Sequence, residues 1–137
     1  MSSTPIEGGC LCGAVRFRAD GPPAKVGYCH CRMCQRADGA PVVAWATFKA
    51  QELTWSGTGR RIFPSSSIAE RGFCSICGTP MTWQSLADRK WIDVASASLD
   101  EPGRFAPADH IWTESQIPWF DTKDHLPRHA QRSVKAG

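Results

Sequence analysis

The chain contains no asparagine, one tyrosine, and no apolar run approaching the ~20 residues that span a membrane. Without asparagine there is neither a Cys-His-Asn protease triad nor an N-glycosylation sequon. Like charges never run to five: Arg16 and Arg18, Arg60 and Arg61, Arg89 and Lys90, Arg128, Arg132 and Lys135 are scattered. This excludes a strong nucleic-acid footprint. The net charge of +3 is enough only to favour a small anionic substrate. The opening Met1-Ser2-Ser3-Thr4-Pro5 has no basic or apolar stretch of a secretory leader, so the expected compartment is the cytoplasm, where thiols stay reduced. A long 3.6-residue apolar stripe is also missing, which leaves helix a minor part, a turn at Arg32–Ala37.

Turns and short apolar segments fill the chain instead. Gly8-Gly9, Gly21-Pro22-Pro23, Gly39-Ala40-Pro41, Gly57-Thr58-Gly59, Pro64–Ser67, Gly78-Thr79-Pro80 and Glu101-Pro102-Gly103 punctuate it. Between them Ala14–Arg18, Val42–Phe48, Leu53–Trp55, Arg60–Phe63, Met81–Trp83 and Trp91–Ala95 are rich in Val, Ile, Thr, Trp and Phe, and several alternate apolar with polar. The expected fold is mainly β, a sandwich or folded antiparallel sheets in one domain over 1–137, with its core over about 6–128. The polar end from Asp124 to Gly137 is expected to fray. Gly57-Thr58-Gly59 lacks a third glycine and a following helix, so it is a turn rather than a phosphate loop.

The seven cysteines fall into three groups. Cys10-Leu11-Cys12 and Cys74-Ser75-Ile76-Cys77-Gly78 each offer two sulfurs at a spacing that reaches one ion. Gly78 stands where such a turn often needs positive φ. Together the two pairs supply the four ligands of a structural zinc. Cys29-His30-Cys31-Arg32-Met33-Cys34 offers three, the number that leaves an open position at a catalytic zinc. A second structural zinc with a distant fourth ligand, or a redox thiol cluster, fits the same spacing. His30, between two ligands on extended chain, points to the opposite face and is a poor fourth ligand; water, a substrate thiol or His110 are the other candidates. His110 precedes Ile111 and Trp112 in a strand and is better read as a structural histidine. His125 and His129 read as solvated, and Trp112 and Trp119 as core more than pocket.

Six stretches carry a resemblance. Gly8–Phe17, Cys29–Arg36 and Arg71–Pro80, followed by Ser98–Pro102, His110–Trp112 and Ile117–Phe120, are similar to the GFA family, which includes the glutathione-dependent formaldehyde-activating enzyme and centromere protein V types of sequence. The resemblance implies an Mss4-like fold of folded β-sheets. It implies a structural zinc on Cys10, Cys12, Cys74 and Cys77 and a second zinc on Cys29, Cys31 and Cys34. It further implies a carbon–sulfur lyase that joins a thiol such as glutathione to formaldehyde, with Cys29, Cys31 and Cys34 catalytic, in a monomer or homodimer with neither nucleic acid nor membrane as partner. The rival readings are a non-catalytic zinc-binding interaction module and a thiol-redox or metal-handling protein. Three thiolates on one Zn²⁺ leave a negative centre that suits thiolate exchange better than water activation. Arg32 and Arg36 are the nearby cations that could hold substrate carboxylates, although solvated surface charge describes them slightly better.

Overall fold

A computed structural model of the chain describes residues 4–133. Met1–Ser3 and 134–137, including Lys135 and the end of the polar tail, lie outside the described residues. The strands are β1 (Ile6–Gly9), β2 (Val15–Ala19), β3 (Lys25–Cys29), β4 (Val43–Lys49), β5 (Leu53–Gly57), β6 (Arg60–Phe63), β7 (Ala69–Cys74), β8 (Pro80–Ser85), β9 (Trp91–Ala95) and β10 (His110–Ile111). One helix, α1 (Arg32–Asp38), and a few 3₁₀ turns complete the described chain. The fold is mainly β, as the alternating segments imply. Among the described residues no helix is long and apolar enough to cross a membrane.

Two sheets form, in the orders β1-β2-β5 and β10-β3-β4-β9-β8-β7-β6, antiparallel except where β10 runs parallel to β3. Strand alternation gives the larger sheet two distinct faces. The register Val26–Ala46–Val94–Thr82 builds one face. With Phe48, Ile92, Met81 and Cys74 it packs against Ile6, Val15, Phe17, Ala19 and Leu53 of the smaller sheet, forming the main core. The register Lys25–Thr47–Asp93–Trp83–Arg71 runs across the opposite face, with Trp45 and Ala95 paired beside it and Cys29 paired with Val43 at the far end of β3. This second face carries a separate apolar cluster of Cys29, Cys34, Val43 and Trp45, bordered by Trp83, Ala95, Ile111 and Trp112.

Strands β1, β3 and β7 escape the alternation pattern because glycines interrupt it. Each glycine makes room for a neighbour: a Cβ on Gly8 would meet the Phe17 ring, and one on Gly72 would meet the Thr82 hydroxyl. Residues 124–133, expected to fray on polarity, are instead tied to β10 and the turn after it. The amide of His110 donates to the Pro127 carbonyl (2.8 Å), that of His129 to the His110 carbonyl (2.9 Å), and that of Trp112 to the Gln131 carbonyl (3.0 Å). Backbone pairing holds a polar segment that side-chain hydropathy cannot reveal.

Gly57 is where the chain passes from the smaller sheet to the larger. Its φ is 83°, and a Cβ there would lie 1.8 Å from the Ala14 carbonyl oxygen. Gly39 after α1 also has positive φ, 62°, but open space around it. Gly57→Ala is therefore expected to destabilise by well over the ~1 kcal/mol of a left-handed alanine, and Gly39→Ala by about that amount alone. Urea unfolding of the two variants checks the ordering.

Candidate metal centres

The four-cysteine group meets at the edge between the sheets. Cys10 directly follows β1 and Cys12 lies in the tight turn after it; Cys74 ends β7 and Cys77 follows in another turn. The C-x-C pair therefore aims its sulfurs through a turn, not along an extended strand as its spacing alone suggests. Gly78 has the expected positive φ, 83°. The Cys10 and Cys12 sulfurs are 3.6 Å apart and those of Cys12 and Cys74 3.9 Å. A disulfide needs about 2.05 Å. Four sulfurs at 2.3 Å from a tetrahedral zinc lie about 3.8 Å from one another, so the spacing fits the ion. All seven cysteines are free thiols.

Backbone amides already point at these sulfurs. Val15 N–H donates to Cys10 Sγ (3.3 Å), and the N–H groups of Ile76 and Cys77 donate to Cys74 Sγ (3.4 Å each). The Thr79 hydroxyl lies 3.1 Å from Cys77 Sγ and draws that thiol down to about 5. Thr79 Oγ1 also accepts from the Leu11 amide (3.0 Å), joining the two cysteine turns directly. Donors preset around thiolates stabilise the charged form that a metal requires.

The three-cysteine group lies on the second face. Cys29 ends β3 and Cys31 caps α1, its sulfur accepting from the Cys34 amide at 3.3 Å. The sulfurs of Cys29, Cys31 and Cys34 all lie within 4.8 Å of one another, and no fourth His, Cys, Asp or Glu among the described residues joins them. Their mutual contacts hold Cys31 low and push Cys29 up, as expected when adjacent sulfurs cannot all ionise without a cation. A metal ion is one such cation; Arg71 is another. Its Nη2 lies 3.6 Å from Cys34 Sγ. Arg32 and Arg36, the cations nearest in sequence, are exposed, and Arg32 bonds Gln35 Oε1 at 2.7 Å. The sheet register brings Arg71 to the cluster from 37 residues away, which spacing along the chain does not reveal.

Neither histidine completes the group. His30 and His110 are fully buried and bond each other, Nε2 to Nδ1, at 2.8 Å. His110 Nε2 is 3.1 Å from both carboxylate oxygens of Asp124. A carboxylate accepts, so His110 donates from Nε2 and receives at Nδ1 the proton of His30 Nε2. His30 Nδ1 is then a buried lone pair without a partner. Burial, reinforced by the neighbouring His110, lowers His30 to about 4. His110 is thus structural, as its strand position suggests. His125 is exposed, whereas His129 is half-buried, with Nε2 3.7 Å from Asp109. Trp112 borders the cluster in a left-handed conformation, φ 58°, while Trp119 is 76% exposed. Gln35 ties the site together, donating to the carbonyls of His30 (2.8 Å) and Ser115 (3.1 Å). Asp93 and Trp83 also went unmarked in the sequence, although a carboxylate sharing a strand face with Trp91 and Ala95 is a visible irregularity.

Residues 5–115 match the family described as "Glutathione-dependent formaldehyde-activating enzyme". An "Uncharacterized lyase" of Schizosaccharomyces pombe is 37% identical over 76 residues, 55% of this chain and 54% of that protein, so the chain spans about half the length of this relative. A "Putative glutathione-dependent formaldehyde-activating enzyme" of Halomonas elongata is 29% identical over 128 residues, 85% of this chain and 80% of that one. A crystal structure of a Rhodobacter sphaeroides protein has the same fold, with TM-score 0.56 and 19% identity, over 89% of this chain and 98% of that one.

The buried histidine pair has a measurable consequence. Between pH 6.5 and 4 the unfolded chain protonates His30 while the native chain does not. Stability therefore falls as pH is lowered through that window, by on the order of 3 kcal/mol from this group. In His30→Gln that contribution should vanish, measured by urea unfolding at pH 6.5 and 4.5 with zinc held constant.

Proposed function

The chain belongs to the glutathione-dependent formaldehyde-activating enzyme family, and on that premise we propose that it is a zinc-dependent carbon–sulfur lyase that joins a thiol to a small aldehyde and reverses the same step. The observation that carries this reading is the three-sulfur cluster with no fourth protein ligand among the described residues. In this reading Cys10, Cys12, Cys74 and Cys77 hold a structural zinc, and Cys29, Cys31 and Cys34 hold the catalytic one. Cys29, Cys31 and Cys34 would hold the zinc, which would supply a Lewis acid there.

The chain's own residues then do the rest. Trp45, Trp83 and Trp112 pack in or against the apolar cluster that includes Cys29 and Cys34. Arg71 sets a permanent positive charge against Cys34, offsetting the net negative charge of three thiolates around a divalent ion. That compensation favours entry of a substrate that is itself anionic, a thiolate or the carboxylates of a glutathione-like peptide. Cys31 is fixed both as cap of α1 and as ligand, so the geometry of the cluster is set by the first turn of the helix.

Two substitutions separate the roles. Cys31→Ser is expected to stay folded, bind one zinc fewer per chain, and lose at least about 100-fold of the formaldehyde–glutathione rate above the spontaneous reaction. Cys77→Ser is expected to melt well below the native protein, because structural-zinc binding energy is also folding energy. Zinc-loaded native protein that shows no rate above background with several thiols would leave a non-catalytic zinc module as the reading.

A further inference from the structure

His30 stands between two of the three cysteines without joining them. Cys29 ends β3, His30 follows, and Cys31 caps α1. The backbone at His30 therefore sets where the sulfurs on either side of it point. Three bonds hold this residue. Its amide donates to the Ile111 carbonyl (3.0 Å), and its carbonyl accepts from Gln35 Nε2 (2.8 Å). Its ring donates from Nε2 to Nδ1 of His110 (2.8 Å). The other ring nitrogen, Nδ1, finds no partner among the described residues, so the bond to His110 is the one polar contact that fixes the ring. His110 lies against Tyr28 as well, with ring centroids 4.8 Å apart, and donates from Nε2 to Asp124, 3.1 Å from each carboxylate oxygen. A chain of three side chains thus runs from the partly exposed Asp124 to the fully buried His30.

We infer that Asp124 is a positioning residue of the three-cysteine centre, holding the Cys29 and Cys31 sulfurs in place through His110 and His30. The inference rests on the reading of these cysteines as a metal site, and not on the reaction proposed there. A carboxylate only accepts, so Asp124 keeps the His110 proton on Nε2 and leaves Nδ1 to receive the proton of His30. Both rings are then held in one tautomer and one orientation. Without the carboxylate, His110 is free to carry its proton on Nδ1, where it faces the N–H of His30, donor against donor. The His30 ring loses its one polar contact, and the backbone between two ligands loses one of its three ties. Partners just outside a metal's ligands commonly change its affinity by roughly 10- to 100-fold.

Asp124 belongs to the segment whose backbone pairs with β10. It accepts from the Leu126 amide (3.0 Å) and lies 3.8 Å from Arg128 Nη2. The same Arg128 nitrogen is 3.6 Å from Asp121. Asp121 accepts from the Lys123 amide (2.8 Å) and bonds neither histidine. The two carboxylates therefore separate anchoring of the segment, which both serve, from positioning of the centre, which Asp124 alone serves.

The test uses the full chain, loaded with Zn²⁺ to read affinity and with Co²⁺ to read ligand geometry, as native protein, Asp124→Ala and Asp121→Ala. Competition with a chelator gives the affinity of each ion, and the visible absorption bands of Co²⁺ report the ligands around it. The ion at the three-cysteine centre is identified by its absence from Cys31→Ser. Asp124→Ala is expected to weaken that ion about 10-fold or more and to shift its Co²⁺ bands, with the four-cysteine ion unchanged. Asp121→Ala should match the native protein in both readouts. An Asp124→Ala variant within threefold of native affinity and with unchanged bands overturns the assignment alone. So does an equal loss in Asp121→Ala, or a loss of both ions alike in Asp124→Ala, since either marks a role in folding only. A native protein that holds an ion only at the four-cysteine centre overturns the second metal centre and this assignment together.

Discussion

Sulfur atoms held 3.6 to 3.9 Å apart are too distant for a disulfide and too close to coexist as free thiolates. That spacing belongs to the four-cysteine group; the sulfurs of Cys29, Cys31 and Cys34 lie within 4.8 Å of one another. At Cys10, Cys12, Cys74 and Cys77 the solution is symmetrical: two turns, one from each sheet, present two sulfurs each, and amides from Val15, Ile76 and Cys77 support the charge. Cys74 is fully buried in the core between the sheets, so the sulfurs and the apolar core fix the same junction. At Cys29, Cys31 and Cys34 the ligand set is one short, and the surroundings differ accordingly. Tryptophans border the apolar cluster that holds Cys29 and Cys34, and Arg71 reaches Cys34.

Strand alternation keeps the two centres apart. Cys74 on β7 shares a face with the main core, whereas Arg71, three residues earlier on the same strand, falls on the other face with Trp83 and Asp93. One sheet therefore builds the main core on one side and borders the three-cysteine cluster on the other. The division lets a small domain carry a polar, partly strained site without opening its core.

Much of this was legible in the residues. The β segments from Val42 to Phe48, Arg60 to Phe63 and Trp91 to Ala95 announce themselves by β-branched and aromatic content, and each forms a strand close to its expected bounds. The grouping of the cysteines into four and three was readable from spacing, and the sulfurs do converge in those groups. What spacing could not show was anything created by register. Arg71 of β7 meets Cys34 of α1 across 37 residues of chain, and Asp93 pairs with Trp83 only through the register of β8 with β9. Strands β1, β3 and β7 were hidden because close cross-strand contacts replaced the apolar side chains that a pattern search counts. The 124–133 segment was hidden because its order comes from backbone hydrogen bonds, which carry no side-chain signature.

The distribution of charge joins these observations. Three thiolates around a divalent cation carry one net negative charge, which weakens the centre as an electrophile. Arg71 returns that charge to balance at 3.6 Å from Cys34. Asp93, on the opposite side of Trp83, sits in the same field: the cysteine charge raises its proton affinity while Lys25 at the far end of the row lowers it. The row of side chains therefore sets an arginine, an indole and a carboxylate in register on one face, with the arginine against Cys34 and the carboxylate one strand beyond the indole.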